Sequence, residues 1–281
     1  MAKVAFLGTG LLGSAIAEGM LRRGDALTVW NRTESKARTL EPLGAKVARS
    51  AGEAVVGAER VHMTLSDDAV VDRVLQEIVT RLSKDAIVVD HTTTAPSGTR
   101  ARYQAMHKAG VRFVHAPVFM SPQMARDAVG ILMTSCPEPL FEAVREPLQK
   151  MSGEAWYLGD DPQRAAAYKI FGNSMIFVVT AGVADVFAMA KGLGISPEDA
   201  LKVFSKFQPG GVIKARGEKI ARRDFSATFE LTMARKDMRL MIEAAGRQPL
   251  AVLTSIAARM DDAIANGHGA EDLAVIAAEV V

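Results

Sequence analysis

The chain has 281 residues, of which 49% are hydrophobic and 23% charged, with 34 basic against 32 acidic side chains and a net charge of +2. These proportions exclude a disordered chain, and the interspersed, nearly balanced charge gives no electrostatic case for nucleic acid or an acidic membrane surface as partner. The lone cysteine, Cys136, excludes an internal disulfide and fits a cytoplasmic setting.

The opening MAKVAFLGTGLLG reads as a strand and a turn. Three glycines interrupt its apolar run and no small-residue cleavage site follows, so a signal peptide is not expected. Short apolar runs then recur at 3–8, 26–31, 60–65, 86–91, 112–118, 130–135 and 154–159. Most are continuous rather than alternating, which suits strands covered on both faces. Between them, 66–82 and 95–109 have helical spacing. This alternation predicts an α/β doubly wound parallel sheet of the Rossmann type.

After 158–164 the remainder reads as helices, so the expected domains are 1–162 and an all-α 163–281, joined by a long helix over about 164–191. Such a helix would run ~40 Å at 1.5 Å per residue. It is apolar on most sides and therefore expected to be buried on most sides, in the second domain and at a subunit interface. Its charge-free stretch, 170–184, has 15 residues. About 20 are needed to span a bilayer, so no membrane is expected. Gly192 and Gly194 would stop this helix, and Ser196-Pro197-Glu198-Asp199 would start the next, with serine as N-cap and proline at the first position.

GTGLLG, Gly8 to Gly13, follows the first strand and opens a helix. In that context G-x-G-x-x-G points to a dinucleotide. Gly8 permits the tight turn, Gly10 lets backbone approach a pyrophosphate, Gly13 lets helix and strand pack, and the N–H groups around Thr9, Leu11 and Leu12 face phosphate. The bland alternative is a ligand-free turn. The second strand ends in Asn31-Arg32-Thr33, where an NAD site would carry an acid for the ribose 2′-hydroxyl. A guanidinium and hydroxyls suit a 2′-phosphate instead, so NADPH/NADP is the expected cofactor. Leu65-Ser66 and His91–Thr94 fall at later strand ends, where ligands sit in open sheets. Thr92 and Thr93 either contact ligand or cap the next helix.

Lys169 stands in an otherwise apolar stretch, AAAYKIFGNSMIFVV, with Asn173 four residues on. On a helix the two share one face and can reach one substrate oxygen. A partly desolvated ammonium there can give a proton to the oxygen of a reduced carbonyl, with the asparagine as a further donor. The alternative is a lysine snorkelling from a buried helix. The five histidines show no metal-ligand spacing, so no metal is expected. His91 and His115 read as structural, and the 14 methionines as packing.

VAFLGTGLLGSAIAEGML, VWNRT, HAPV, YKIFGN and FELTMARKDMRLMIEAAG together resemble the β-hydroxyacid dehydrogenase family, in family order over nearly the whole chain. That family includes 3-hydroxyisobutyrate dehydrogenases and glyoxylate/succinic semialdehyde reductases, and the tail is most similar to the latter branch. The resemblance implies that Lys169 is the catalytic lysine and Asn173 its partner, that Thr93 and Lys236 lie near the cofactor, and that Phe229 and Asp237 serve the substrate side. Without it, Lys236-Asp237 reads as an ordinary charged helix turn.

The family's substrate loop reads A-P-V-S-G-G. Here it is Ala116-Pro117-Val118-Phe119-Met120-Ser121, and Gly172 stands where the family often has an asparagine. The expected substrate contacts are therefore Val118, Phe119, Met120 and Ser121, with bulk replacing donors. The resemblance implies reversible, NADPH-dependent reduction of a small aldehyde or keto acid, and the all-α second domain with its long apolar helix points to at least a dimer, a homodimer or homotetramer. An imine reductase-like enzyme and a non-catalytic NADP-binding module are the alternatives.

Overall fold

The computed structural model describes residues 2–281. The first half alternates strand and helix. β1 (Lys3–Leu7), α1 (Leu11–Arg22), β2 (Ala26–Trp30), α2 (Glu34–Arg38), β3 (Lys46–Val47) and α3 (Ala51–Ala54) come first. β4 (Arg60–Met63), α4 (Asp68–Ile78), β5 (Ile87–Asp90), α5 (Pro96–Lys108) and β6 (Arg112–His115) follow. These strands form one parallel sheet in the order β3-β2-β1-β4-β5-β6. β1 and β4 are neighbours though β2 and β3 intervene in the chain, so the chain reverses direction across the sheet between them. That switch point is where open α/β sheets take their ligands.

One apolar layer packs on each face of the sheet. Phe6, Ile16, Met20, Val89 and Val114 belong to one, and Leu7, Val61, Val71, Leu75 and Phe113 to the other. Burial on both faces explains the continuous apolar runs.

The run 112–118 is not one strand. It divides at Ala116-Pro117, and the chain passes into a second sheet of three strands: β7 (Val118–Phe119), β8 (Ile131–Thr134) and β9 (Glu154–Tyr157). Proline supplies no N–H for a ladder, so a strand cannot continue through it undisturbed. β7 and β8 are antiparallel, a departure from the all-parallel expectation, while β8 and β9 are parallel. The two-residue β3 was too short to stand out as an apolar run. α6 (Pro122–Arg126) and α7 (Glu138–Met151) complete this part.

α8 (Arg164–Gly192) is continuous over 29 residues, as its composition foretold. By contacts the chain divides into two compact units, Met1–Asn173 and Ser174–Val281, and the division falls within α8. The expectation that α8 is buried on most sides is overturned within the single chain: Phe171 is 61% exposed and Phe177 70% exposed. By length and composition the helix could cross a bilayer.

The second unit continues with α9 (Pro197–Leu201), α10 (Gly211–Ala221), α11 (Leu231–Ala245) and α12 (Leu253–Ala263). Ser196 caps α9 by accepting from the Asp199 N–H, with Pro197 at the first position. α11 and α12 bury Leu231, Met238, Ala257 and Met260 together with Val275. Asp185 of α8 accepts hydrogen bonds from the backbone N–H groups of Ala251, Val252 and Leu253, which fixes the start of α12.

Candidate functional site

The carboxyl ends of β1, β2, β4 and β5 border a cavity of about 650 Å³. Gly8, Gly10, Leu11, Leu12, Gly13, Asn31, Arg32, Thr33, Leu65, Ser66 and Thr93 all line it. Local sequence explains its floor. Gly8 has φ +95°, and a Cβ there would strike the Thr64 carbonyl; a Cβ at Gly13 would strike the Gly8 carbonyl. Only glycine permits this turn and this helix packing. Gly10, by contrast, has nothing within 4 Å of where a Cβ would stand, so the approach to its backbone is open. It is also the N-cap of α1, which has no side-chain cap and no acid in its first turn. A helix start left uncapped in this way presents N–H donors and positive dipole to an anion.

Thr9 does not line the cavity. It is buried, and its N–H donates to Asn31 Oδ1 at 3.0 Å, while Asn31 Nδ2 donates to the Thr33 carbonyl at 2.9 Å. Asn31 thus ties the glycine loop to the turn after β2. A carboxylate at 31 could accept but not donate, so the amide performs both halves of the tie.

Three cationic side chains line the cavity: Arg32 and Lys36 from the turn after β2 and the helix that follows, and Arg73 from α4. The single acid, Glu77, is engaged by the Gly52 N–H at 3.0 Å. Lys36 and Arg73 were not singled out from sequence. Lys36 stands three residues after Thr33 in α2, close enough to Arg32 in the chain to have been legible; Arg73 lies on α4, brought in only by the fold. The residues fit a phosphorylated dinucleotide: an open glycine backbone for pyrophosphate, and cations beside the β2 turn.

Thr92 accepts from the Leu65 N–H at 2.9 Å and lines the same cavity with Thr93 and His91. Neither threonine caps α5, whose N-cap is Ala95. His91 is one end of a buried donor chain. Its Nδ1 is 2.7 Å from the Ala116 carbonyl, which can only accept, so Nδ1 carries the proton. Nε2 of His91 then accepts from His62 Nδ1 at 2.9 Å, and His62 Nε2 accepts from Arg60 Nε at 3.3 Å. Burial is the main cause holding both imidazoles below their ordinary pKa, well below it for His62, and each is neutral as the chain requires.

The substrate loop predicted from sequence lies on β7 and just after it. Val118 is buried, Phe119 and Met120 half-buried, and Ser121 exposed. Ser121 is the N-cap of α6, accepting from the Met124 N–H at 3.2 Å. The Phe119 ring packs with Met133, Leu158 and Ala165. The Lys169 ammonium stands 4.2 Å from its centroid. Partial burial lowers the Lys169 pKa from its ordinary value. Asn173 lies one turn further along α8, half-buried. Lys169 and Phe119 do not line the large cavity.

Phe229, Lys236 and Asp237 belong to the second unit. Lys236 Nζ is 2.8 Å from Asp237 Oδ1, and both are partly exposed. Phe229 is held from behind by Asp272, which is buried and accepts from the N–H groups of Thr228 and Phe229 and from the Thr228 hydroxyl, and pairs with Arg216. Burial opposes the Asp272 carboxylate, but those hydrogen bonds outweigh it and keep its pKa far below the usual range. Among the described residues no cluster of His, Cys, Asp or Glu could hold a metal ion.

Two family profiles match. Residues 3–159 match the NAD binding domain of 6-phosphogluconate dehydrogenase, and residues 164–279 match the NAD-binding domain of NADP-dependent 3-hydroxyisobutyrate dehydrogenase. The chain is 28% identical to glyoxylate/succinic semialdehyde reductase 2 of Arabidopsis thaliana over 96% of this chain and 76% of that one. It is 22% identical to 2-(hydroxymethyl)glutarate dehydrogenase of Eubacterium barkeri over 98% and 93%. An imine reductase from Myxococcus stipitatus, solved with NADP+, superposes with a TM-score of 0.91 over 99% of this chain and 100% of that one, at 20% identity. That likeness is one of fold.

Proposed function

The chain belongs to the β-hydroxyacid dehydrogenase family of NAD(P)-binding oxidoreductases, and on that premise we propose that it reduces a small aldehyde or keto acid with NADPH, Lys169 giving the proton. The observation that carries this reading is the Lys169 ammonium, half-buried over an aromatic ring with its pKa lowered, one turn from Asn173. Bound NADPH would supply the hydride that goes to the carbonyl carbon. As the C=O π bond breaks, its electron pair stays on oxygen. The Lys169 ammonium gives that oxygen a proton, and the resulting amine is reprotonated from water. Desolvation brings the lysine closer to neutrality, where a general acid works best. Asn173 adds a hydrogen bond to the developing oxyanion.

Choice of NADPH over NADH is supported by Arg32 and Lys36 at the turn that carries Asn31 instead of an acid, with Arg73 lining the same cavity. Gly8, Gly10 and Gly13 with Leu11 and Leu12 would hold the pyrophosphate, and Leu65, Ser66 and Thr93 the nicotinamide side. Lys236, oriented by Asp237, and Phe229 are assigned to the cofactor and substrate on the resemblance to the family. The exposed apolar sides of α8 are assigned to a second copy of this chain, in a cytoplasmic homodimer or homotetramer, which light scattering would reveal as a multiple of 30.1 kDa.

A second reading, reduction of a C=N bond, is favoured by the apolar Phe119 face beside Lys169. The test is NADPH absorbance with succinic semialdehyde, glyoxylate and a cyclic imine, with NADH as control. Turnover of either carbonyl substrate at a higher kcat/KM than the imine supports the leading reading. Faster turnover of the imine supports the second.

A further inference from the structure

Two departures from the family pattern, Phe119 and Gly172, touch each other. A Cβ at Gly172 would run into Phe119 Cζ and lie 2.8 Å from Cε1. The ring edge therefore occupies the volume of any side chain at 172, and nothing larger than glycine fits while Phe119 keeps its place. The face of the same ring carries the Lys169 ammonium, 4.2 Å from the centroid. Lys169 and Gly172 are three apart on α8, so one helix face presents both to one ring. The ring itself cannot easily retreat. Its backbone pairs with Ile131 in the β7–β8 ladder, and Met133, Leu158 and Ala165 pack around it.

The chemistry around Lys169 follows from this interlock. Val118, Phe119 and Met120 bring no side-chain hydrogen-bond donor, and the Ser121 oxygen accepts from the Met124 N–H at the start of α6, which leaves its O–H as the loop's side-chain donor beyond the ring. A carbonyl that takes its proton from Lys169 must approach an ammonium that stands 4.2 Å from the Phe119 centroid, so the ring borders the space its neighbouring carbon would enter. That face is apolar and carries the negative part of the ring quadrupole. A carboxylate placed against the ring loses hydration and gains no side-chain donor from Val118, Phe119 or Met120 in return. A methylene placed there buries apolar surface instead.

We propose that Phe119, admitted by Gly172, is the specificity-determining residue of the site, selecting carbonyls flanked by hydrocarbon and rejecting 2-oxo acids. The proposal rests on the reading of Lys169 as proton donor to a carbonyl. It places aldehydes whose carboxylate, if any, lies two or more carbons from the carbonyl ahead of those in which the two are bonded.

The test compares kcat/KM for butanal and glyoxylate, read by NADPH oxidation, in the native protein, F119S and F119S/G172N. The native protein should prefer butanal by about tenfold or more, and the double substitution should lower that ratio by about tenfold or more. An unchanged ratio overturns the selectivity. Thermal melting tests the interlock without turnover: G172A should lower the melting temperature in the native background and leave it unchanged beside F119A. Equal loss in both backgrounds overturns the interlock. If butanal, glyoxylate and succinic semialdehyde all fail to oxidise NADPH in the native protein, the carbonyl-reductase reading fails and takes the selectivity with it; turnover of succinic semialdehyde alone keeps that reading but overturns the selectivity for butanal, and the melting result still decides whether ring and glycine are coupled.

Discussion

The glycine-loop cleft and the Phe119 corner are built on opposite plans. The cleft is largely backbone: a tight turn at Gly8, an open approach at Gly10, and an uncapped α1. Its side chains mostly choose among closely related ligands. The corner is almost entirely side chain, with an aromatic ring wedged between a lysine and a glycine. Backbone recognition needs few residue types, so it reads directly as a motif. Side-chain recognition depends on which groups fill one volume together, so a single position says little.

The sharpest way to break this contrast is at Lys169. K169M should lower kcat by about 10² to 10⁴ while NADPH still binds, because a general acid contributes on that scale and the cleft lies elsewhere. Single-turnover kinetics with fluorescence titration of NADPH separate the two effects. Loss of NADPH binding instead would show that the corner and the cleft are one site energetically.

Next in size is the phosphate preference. R32E should raise KM for NADPH about 10- to 100-fold, the worth of one charge-assisted hydrogen bond or two, and change KM for NADH little. Steady-state kinetics with both cofactors test this. Equal loss with both would assign Arg32 to the fold of the turn rather than to the phosphate.

Much of the cleft was legible in the chain. G-x-G-x-x-G, Asn31-Arg32-Thr33 and the strand ends each sit within a few residues of the chemistry they serve, and they converge on one cavity. Arg73 was not legible, because α4 reaches the cavity only through the sheet order. The run 112–118 misled for a different reason. Its apolar pattern is continuous, and only Pro117 marks the place where the chain leaves one sheet for another. α8 misled on burial, since apolar composition states that a surface needs covering and not which chain covers it. At the corner, both substitutions were visible in the sequence, but their mutual contact was not. Positions 119 and 172 are 53 residues apart in the chain, and only folding shows that one glycine makes room for one ring.

The pH dependence sharpens the comparison further. Burial lowers the Lys169 pKa, and reduction needs the protonated form. The rate of reduction should therefore hold at low pH and fall as pH rises through a pKa below 10.5, with oxidation of the alcohol showing the opposite limb. F119A admits water to the ammonium, so the falling limb should move to higher pH. R32E should leave it in place. A limb that ignores the ring but follows Arg32 would overturn the division between the two regions.

The smallest expected effect lies where the regions meet. His91 lines the cleft and also holds the Ala116 carbonyl, two residues before Val118, through the donor chain from Arg60 and His62. Both imidazoles have folded pKa values below the unfolded one, with burial as the main cause and Arg60 and the neighbouring histidines adding repulsion. Their contribution to stability is therefore full above about pH 6.5 and is lost as pH falls below it, by up to about 1.4 kcal/mol per histidine per pH unit. Asp90 and His115, buried beside His91, do not reverse that sign. The urea midpoint should drop between pH 7.5 and pH 5.5, and H62L, which cannot be charged, should flatten the drop. H62L leaves His91 without its donor, so loop 116–121 should loosen and KM for the carbonyl substrate rise while KM for NADPH stays close to native. If the two KM values rise together, the histidines brace the cleft as a whole rather than the loop that leads to Phe119.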